Sequence, residues 1–105
     1  MKVEGVTCEK PLNSVTKKDL WRETIEVWDY LVESNYGPSD FFGGEIKMNY
    51  EGFKRLVKEN GMCARTKETR HYRISALWMG NVEISFTEVK TDKHNWLLEE
   101  NWDRL

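Results

Sequence analysis

The sequence predicts an α+β domain: a small antiparallel sheet built on a central hairpin at about 71–89, packed with two or three helices. Three observations carry that expectation. Two β-rich runs, from His71 to Met79 and from Val82 to Val89, flank the pair Gly80-Asn81, which is the pattern of a tight hairpin. A stretch from about Lys17 to Ser34 repeats apolar residues at helical spacing behind a capping signal. The chain has 105 residues, 39% hydrophobic and 32% charged, which suits one modest core and a single globular domain over 1–105.

Residues 1–14 read as an irregular arm in which Val3 to Thr7 adds a short strand. Thr16 and Asp19 then form a loose capping box for the first helix. Trp21, Ile25, Trp28 and Val32 recur at four, three and four residues, with Leu20 and Leu31 beside them. An aromatic stripe at this spacing is expected to face the core.

Asn35 to Gly44 reads as a loop by its Gly-Pro and Gly-Gly punctuation. The adjacent Phe41 and Phe42 either plug the core or project as an apolar tip that grips a partner. Glu45–Met48 is expected to be a short strand. Asn49 is a good N-cap for a second helix over Tyr50–Glu59, and Gly61 is its stop signal. Tyr50, Phe53, Leu56 and Val57 form its inner stripe, with Lys54, Arg55 and Lys58 on the open side. Met62–Thr66 is expected to pair as a third strand before a polar turn at Lys67–Thr69. At the chain's end, Leu98, Trp102 and Leu105 follow helical spacing, broadened by Trp96 and Leu97, and this tail is expected to dock on the sheet.

A two-residue loop at Gly80-Asn81 sets the hairpin register. Met79 faces Val82, Leu77 faces Ile84, Ser75 faces Phe86, and Arg73 faces Glu88. Leu77, Met79, Val82, Ile84 and Phe86 then form a core wall. The opposite face sets Tyr72, Ile74, Ala76 and Trp78 against Glu83, Ser85, Thr87 and Val89, half aromatic and half polar. It is either covered by a helix or open as a binding patch, with cover the commoner fate of such an apolar face. A competing reading makes Tyr50–Asn60 and Thr66–Met79 a helix-turn-helix with Val82–Val89 as a wing. The alternation of Tyr72, Ile74, Ala76 and Trp78 favours strand.

The net charge is −2, but residues 46–73 hold eight Lys/Arg against three Asp/Glu inside an otherwise acidic chain. Lys47, Lys54, Arg55, Lys58, Arg65, Lys67, Arg70 and Arg73 are therefore candidate nucleic-acid contacts. Fold-back onto the acidic segments would instead give a mixed, neutralised surface.

No nucleophile elbow, dinucleotide fingerprint or metal-binding histidine pair is present, so no catalytic residue, cofactor or metal is assigned. Cys8 and Cys63 with His71 and His94 lack the paired spacing of a zinc site, and two reduced cysteines are expected. The start of the chain has no apolar leader and no run reaches membrane-span length, so the expected location is cytoplasmic and no membrane partner is expected. With no chemistry legible, the expectation is a small non-enzymatic module that occupies a partner protein's surface. Inhibitors and adaptors, including those that mobile genetic elements carry, have this size. Its contacts are assigned to Phe41, Phe42, Arg70, Tyr72, Arg73 and Trp78, because aromatics and arginine dominate interfaces. The alternative is a nucleic-acid-binding regulator that uses the basic 46–73 segment. Oligomeric state is not legible.

Overall fold

Thr16 opens the first helix, α1 (Lys17–Glu33): its Oγ1 accepts from the Asp19 N–H at 3.1 Å, satisfying a donor that a helix start leaves over. The computed structural model describes residues 6–12, 14–59 and 64–89. α1 ends in a left-handed residue, Asn35, with φ of 62°. Around it the Tyr36 N–H donates to Leu31 O at 2.9 Å and the Asn35 N–H to Val32 O at 3.1 Å. That paired closure satisfies the last carbonyls and turns the chain sharply into the sheet.

Six strands and two helices make up the described residues. β1 (Val6–Thr7), β2 (Pro38–Phe42) and β3 (Glu45–Met48) are short, and α2 (Tyr50–Glu59) follows β3 directly. β4 (Arg65–Glu68), β5 (Tyr72–Met79) and β6 (Val82–Val89) complete the sheet. Its order is β1-β5-β6-β3-β2, with β4 also on β5. The hairpin has the expected register, with Arg73, Ser75, Leu77 and Met79 opposite Glu88, Phe86, Ile84 and Val82. Gly80 has φ of 63°. A positive φ at the first turn residue matches strand twist and suits glycine.

Three expectations are corrected here. The sheet is mixed rather than antiparallel: β3 runs parallel to β6, because the long connection through α2, β4 and β5 brings the chain back in the same direction. Residues 35–44 are not a plain loop. Pro38–Phe42 forms the edge strand β2, antiparallel to β3, with Gly43-Gly44 as its tight turn. Of the strand expected over 62–66, Arg65 and Thr66 lie in β4 (Arg65–Glu68), which runs on to Glu68, so the turn expected at Lys67–Thr69 starts two residues late; residues 62–63 and the Gly61 stop lie outside the described residues. The helix-turn-helix is also excluded, since 65–68 and 72–79 are paired strands. The expected strand residues 3–5 and the expected terminal helix lie outside the described residues.

Both helices pack on one face of the sheet. Leu31 of α1 and Phe53, Leu56 and Val57 of α2 join Ile46, Met48, Leu77, Met79, Val82 and Ile84 in one buried cluster. At ~25 cal/mol per Å² of apolar area, burial of this cluster is the main favourable term in the fold.

The inward face of α1 is not the one its strongest apolar repeat suggests. Thr24 and Leu31 are fully buried, whereas Trp21, Ile25 and Val32 are 47%, 39% and 48% exposed. Polar anchoring explains the rotation. Gly44 N–H donates to Thr24 Oγ1 at 2.7 Å, and that hydroxyl donates to Leu20 O at 2.7 Å. Next to Thr24 in sequence, Glu23 accepts from the Asn81 N–H and from Asn81 Nδ2 at 3.1 Å. α1 thus holds the β2–β3 and β5–β6 turns with Thr24 and Glu23, and Trp21, Ile25 and Val32 of its apolar repeat lie outward while Trp28 is half-buried against the edge of the core. Trp21 and Trp28 keep contact through Phe41 of β2, at ring-centre distances of 5.6 and 4.9 Å.

Cys8 is disulfide-bonded and no described cysteine is free, against the expectation of reduced thiols. The absence of a zinc or redox spacing motif does not decide whether a given cysteine is disulfide-bonded.

Candidate binding face

The face of the sheet opposite the helices carries the candidate site. Directly paired residues share a face, so the strand register reads it row by row. One row runs Thr7, Trp78, Glu83, Glu45, Phe42. The next runs Arg65, Ala76, Ser85, Lys47, Asp40. Beyond them lie Lys67, Ile74 and Thr87, then Tyr72 beside Val89.

Small residues at the centre make this face concave. Ala76 and Ser85 are buried between larger neighbours, while Trp78 and Ile74 are half-buried and Tyr72 is 40% exposed. The result is a shallow depression of about 400 Å³ lined by Arg65, Thr66, Lys67, Ile74, Ala76, Trp78 and Glu83. Its floor is apolar, and its rim carries both signs of charge.

Those rim charges are partly compensated. Lys47 Nζ lies 3.2 Å from Glu45, and Arg65 pairs with Glu9. Burial, reinforced by the neighbouring Glu45 carboxylate, pushes Glu83 above the usual carboxylate range. A rim of this kind suits a partner with its own mixed charges better than a chain of phosphates, whose binding grows with the number neutralised.

Tyr72, Trp78 and Phe42 share this face. Arg70 stands exposed in the β4–β5 turn at its end, a turn tied by Thr69 Oγ1 accepting from the N–H groups of His71 and Tyr72. Arg73 does not join them. It points to the helix side, is 3% exposed, and donates through Nη2 to Glu68 at 2.8 Å opposite buried Glu88. Strand alternation separates it from Tyr72. Phe41 is likewise turned inward onto Trp21 and Trp28.

The basic set is also divided. Lys47, Arg65 and Lys67 lie on the face opposite α1 and α2, whereas Lys54, Arg55 and Lys58 belong to α2 on the other side and line an open groove of about 460 Å³. Arg55 is occupied there. Its guanidinium lies 4.4 Å from the Tyr36 ring centre and donates to Asn35 O at 2.7 Å, Ser34 O at 2.9 Å and Glu59 at 2.7 Å. Tyr36 OH also donates to Glu59 at 2.8 Å. These two hydrogen bonds lower the Glu59 carboxyl, while burial and the same carboxylate push the Tyr36 hydroxyl well up. Arg55 staples α2 to the end of α1, and Lys54 rests 5.2 Å over the Tyr50 ring.

The sequence placed Ile74, Ala76, Glu83 and Ser85 on this face, but none of them was among the assigned contacts. The register that sets them beside Trp78 was available, but the depression is a product of relative side-chain size across the three strands β4, β5 and β6. Among the described residues no cluster of three or more His, Cys, Asp or Glu stands ready for a metal ion. No helix among them is long and apolar enough to cross a membrane. What the fold and site define is a small α+β domain whose sheet, among the described residues, presents one aromatic-floored face opposite both helices. No protein-family model matches the chain, and comparison with curated proteins and with solved structures finds no similar protein.

Proposed function

We propose that the chain is a non-enzymatic protein-binding module, an inhibitor or adaptor that acts by covering a partner protein's surface with the sheet face opposite α1 and α2. The observation that supports this reading is the depression around Trp78, Ile74 and Ala76, rimmed by Arg65, Lys67 and Glu83. Trp and Tyr on a rigid sheet offer large contact area at low entropic cost, and a mixed rim gives orientation. Tyr72, Trp78 and Phe42 are the apolar anchors in this reading, with Arg70 at the margin.

Capture from a cell lysate by immobilised wild-type protein, compared with Tyr72→Ala and Trp78→Ala, tests it. A specific protein lost in both variants, with each variant still folding cooperatively, supports the module. Retention of that protein by both variants sinks the assignment to this face. Binding of short single-stranded oligonucleotides, with affinity falling steeply as salt rises, would replace it by the nucleic-acid reading. The cytoplasmic location expected from the sequence is not carried into this proposal. The Cys8 disulfide opposes that location, since the reducing cytoplasm keeps most thiols free.

A further inference from the structure

The outward stripe of α1 has the form of a helix-pairing seam. Trp21, Ile25, half-buried Trp28 and Val32 are spaced four, three and four residues apart, the alternation of the two inner positions of a heptad. Three of the four are more than a third exposed, on a domain whose core already has its own inner stripe on the same helix. The residues that flank this seam on the solvent side are Arg22 and Asp29, both exposed.

We propose that this face is where a second copy of the chain docks, with the two α1 helices antiparallel about a two-fold axis near Ile25. Charge complementarity selects this occupant and this orientation. In an antiparallel pair the same flanking position of one helix meets its counterpart on the other, so Arg22 of each copy faces Asp29 of its mate, twice per dimer. A parallel pair would instead bring Lys17 beside Arg22 of the mate, and it gains no opposite-charge contact. The Arg22 ion pair within α1, to Asp19 at 3.5 Å with both side chains more than half exposed, is weak enough to exchange. The geometry of the sheet agrees. The inward flank of the seam faces the protein's own sheet, so both sheets lie on one side of the helix pair. Edge strand β2, which carries Phe41 beneath Trp21 and Trp28, then comes beside the edge strand of the mate.

Sedimentation of the full chain over a concentration series, with thermal melts as a folding control, tests the proposal. Wild type should shift reversibly from monomer to dimer with rising concentration. Arg22→Asp and Asp29→Arg should each weaken dimerisation by roughly tenfold, since each turns both attractive contacts into repulsive ones. Mixing the two single variants should restore a heterodimer, because each contact between positions 22 and 29 then pairs an acidic side chain from one variant with a basic side chain from the other. The double variant should self-associate as wild type does. Ile25→Lys should abolish the dimer without unfolding the monomer. Wild type that stays monomeric at every concentration overturns the proposal, as does a dimer indifferent to these charge reversals. Trp78→Ala, on the far face of the sheet, should leave self-association unchanged, which separates this surface from the one assigned to the partner protein.

Discussion

Gly52, in the first turn of α2, lies directly against the backbone carbonyl of Tyr36, so close that a Cβ on residue 52 would overlap that oxygen and crowd the Met48 methyl. Helix propensity alone says that Ala is better than Gly here by about 1 kcal/mol. The contact reverses the sign, because a backbone carbonyl anchored by the turn after α1 has nowhere to go. Gly52→Ala should destabilise the protein by roughly 2 kcal/mol or more. Urea denaturation reads this directly, and a stabilised variant would show that α2 can slide away from Tyr36.

The same turn carries a pH dependence. The Tyr36 hydroxyl is raised above its ordinary value of 10.0 by burial and by donation to Glu59. A group whose folded value is raised contributes stability that is complete below the unfolded value and is lost as pH rises beyond it. Melting temperature should therefore fall as pH climbs past 10, in step with exposure of a tyrosinate absorbance. Tyr36→Phe should be less stable than wild type at neutral pH, through loss of the bond to Glu59, yet flatter on the alkaline side. Parallel curves for the two proteins would remove Tyr36 from the account.

Arg73 is a stability residue in this structure rather than a contact. It is buried with Glu88 opposite it and Glu68 as its acceptor. Arg73→Ala strips the cation from a site that holds a buried carboxylate and should cost about 3 kcal/mol in chemical denaturation. By contrast, Arg70→Ala in the exposed turn should change stability by less than ~0.5 kcal/mol. Equal effects of the two substitutions would contradict the assignment of Arg73 to the helix side.

The two faces of β5 should respond differently to truncation. Leu77 is fully buried beneath the helices, and Leu77→Ala should cost about 2–5 kcal/mol through lost burial and a residual cavity. Tyr72, exposed on the face opposite α1 and α2, should cost less than ~1 kcal/mol as Tyr72→Ala. A large loss at Tyr72 would mean that something covers this face, and the proposed binding surface would go with it.

Local chemistry determined much of this protein from its sequence. Gly80-Asn81 set the hairpin register to the residue, because a two-residue turn leaves no slack and a one-residue slip would expose Leu77 and Ile84. Thr16 and the polar cap at Asn49 placed both helix starts, because a cap acts only on donors within the next turn. The face shared by Tyr72, Ile74, Ala76 and Trp78 followed from strand alternation. Only the tertiary structure decided which way α1 is turned. Its two overlapping apolar stripes have similar periodicity, and Thr24 and Glu23 select between them by bonding to turns 20 and 58 residues away in sequence. The parallel pairing of β3 with β6 and the edge strand at 38–42 were equally hidden, since each depends on a partner strand that no local pattern names. The division of the basic segment into two faces has the same origin: a run of charge along the chain carries no record of which side of the sheet each residue reaches.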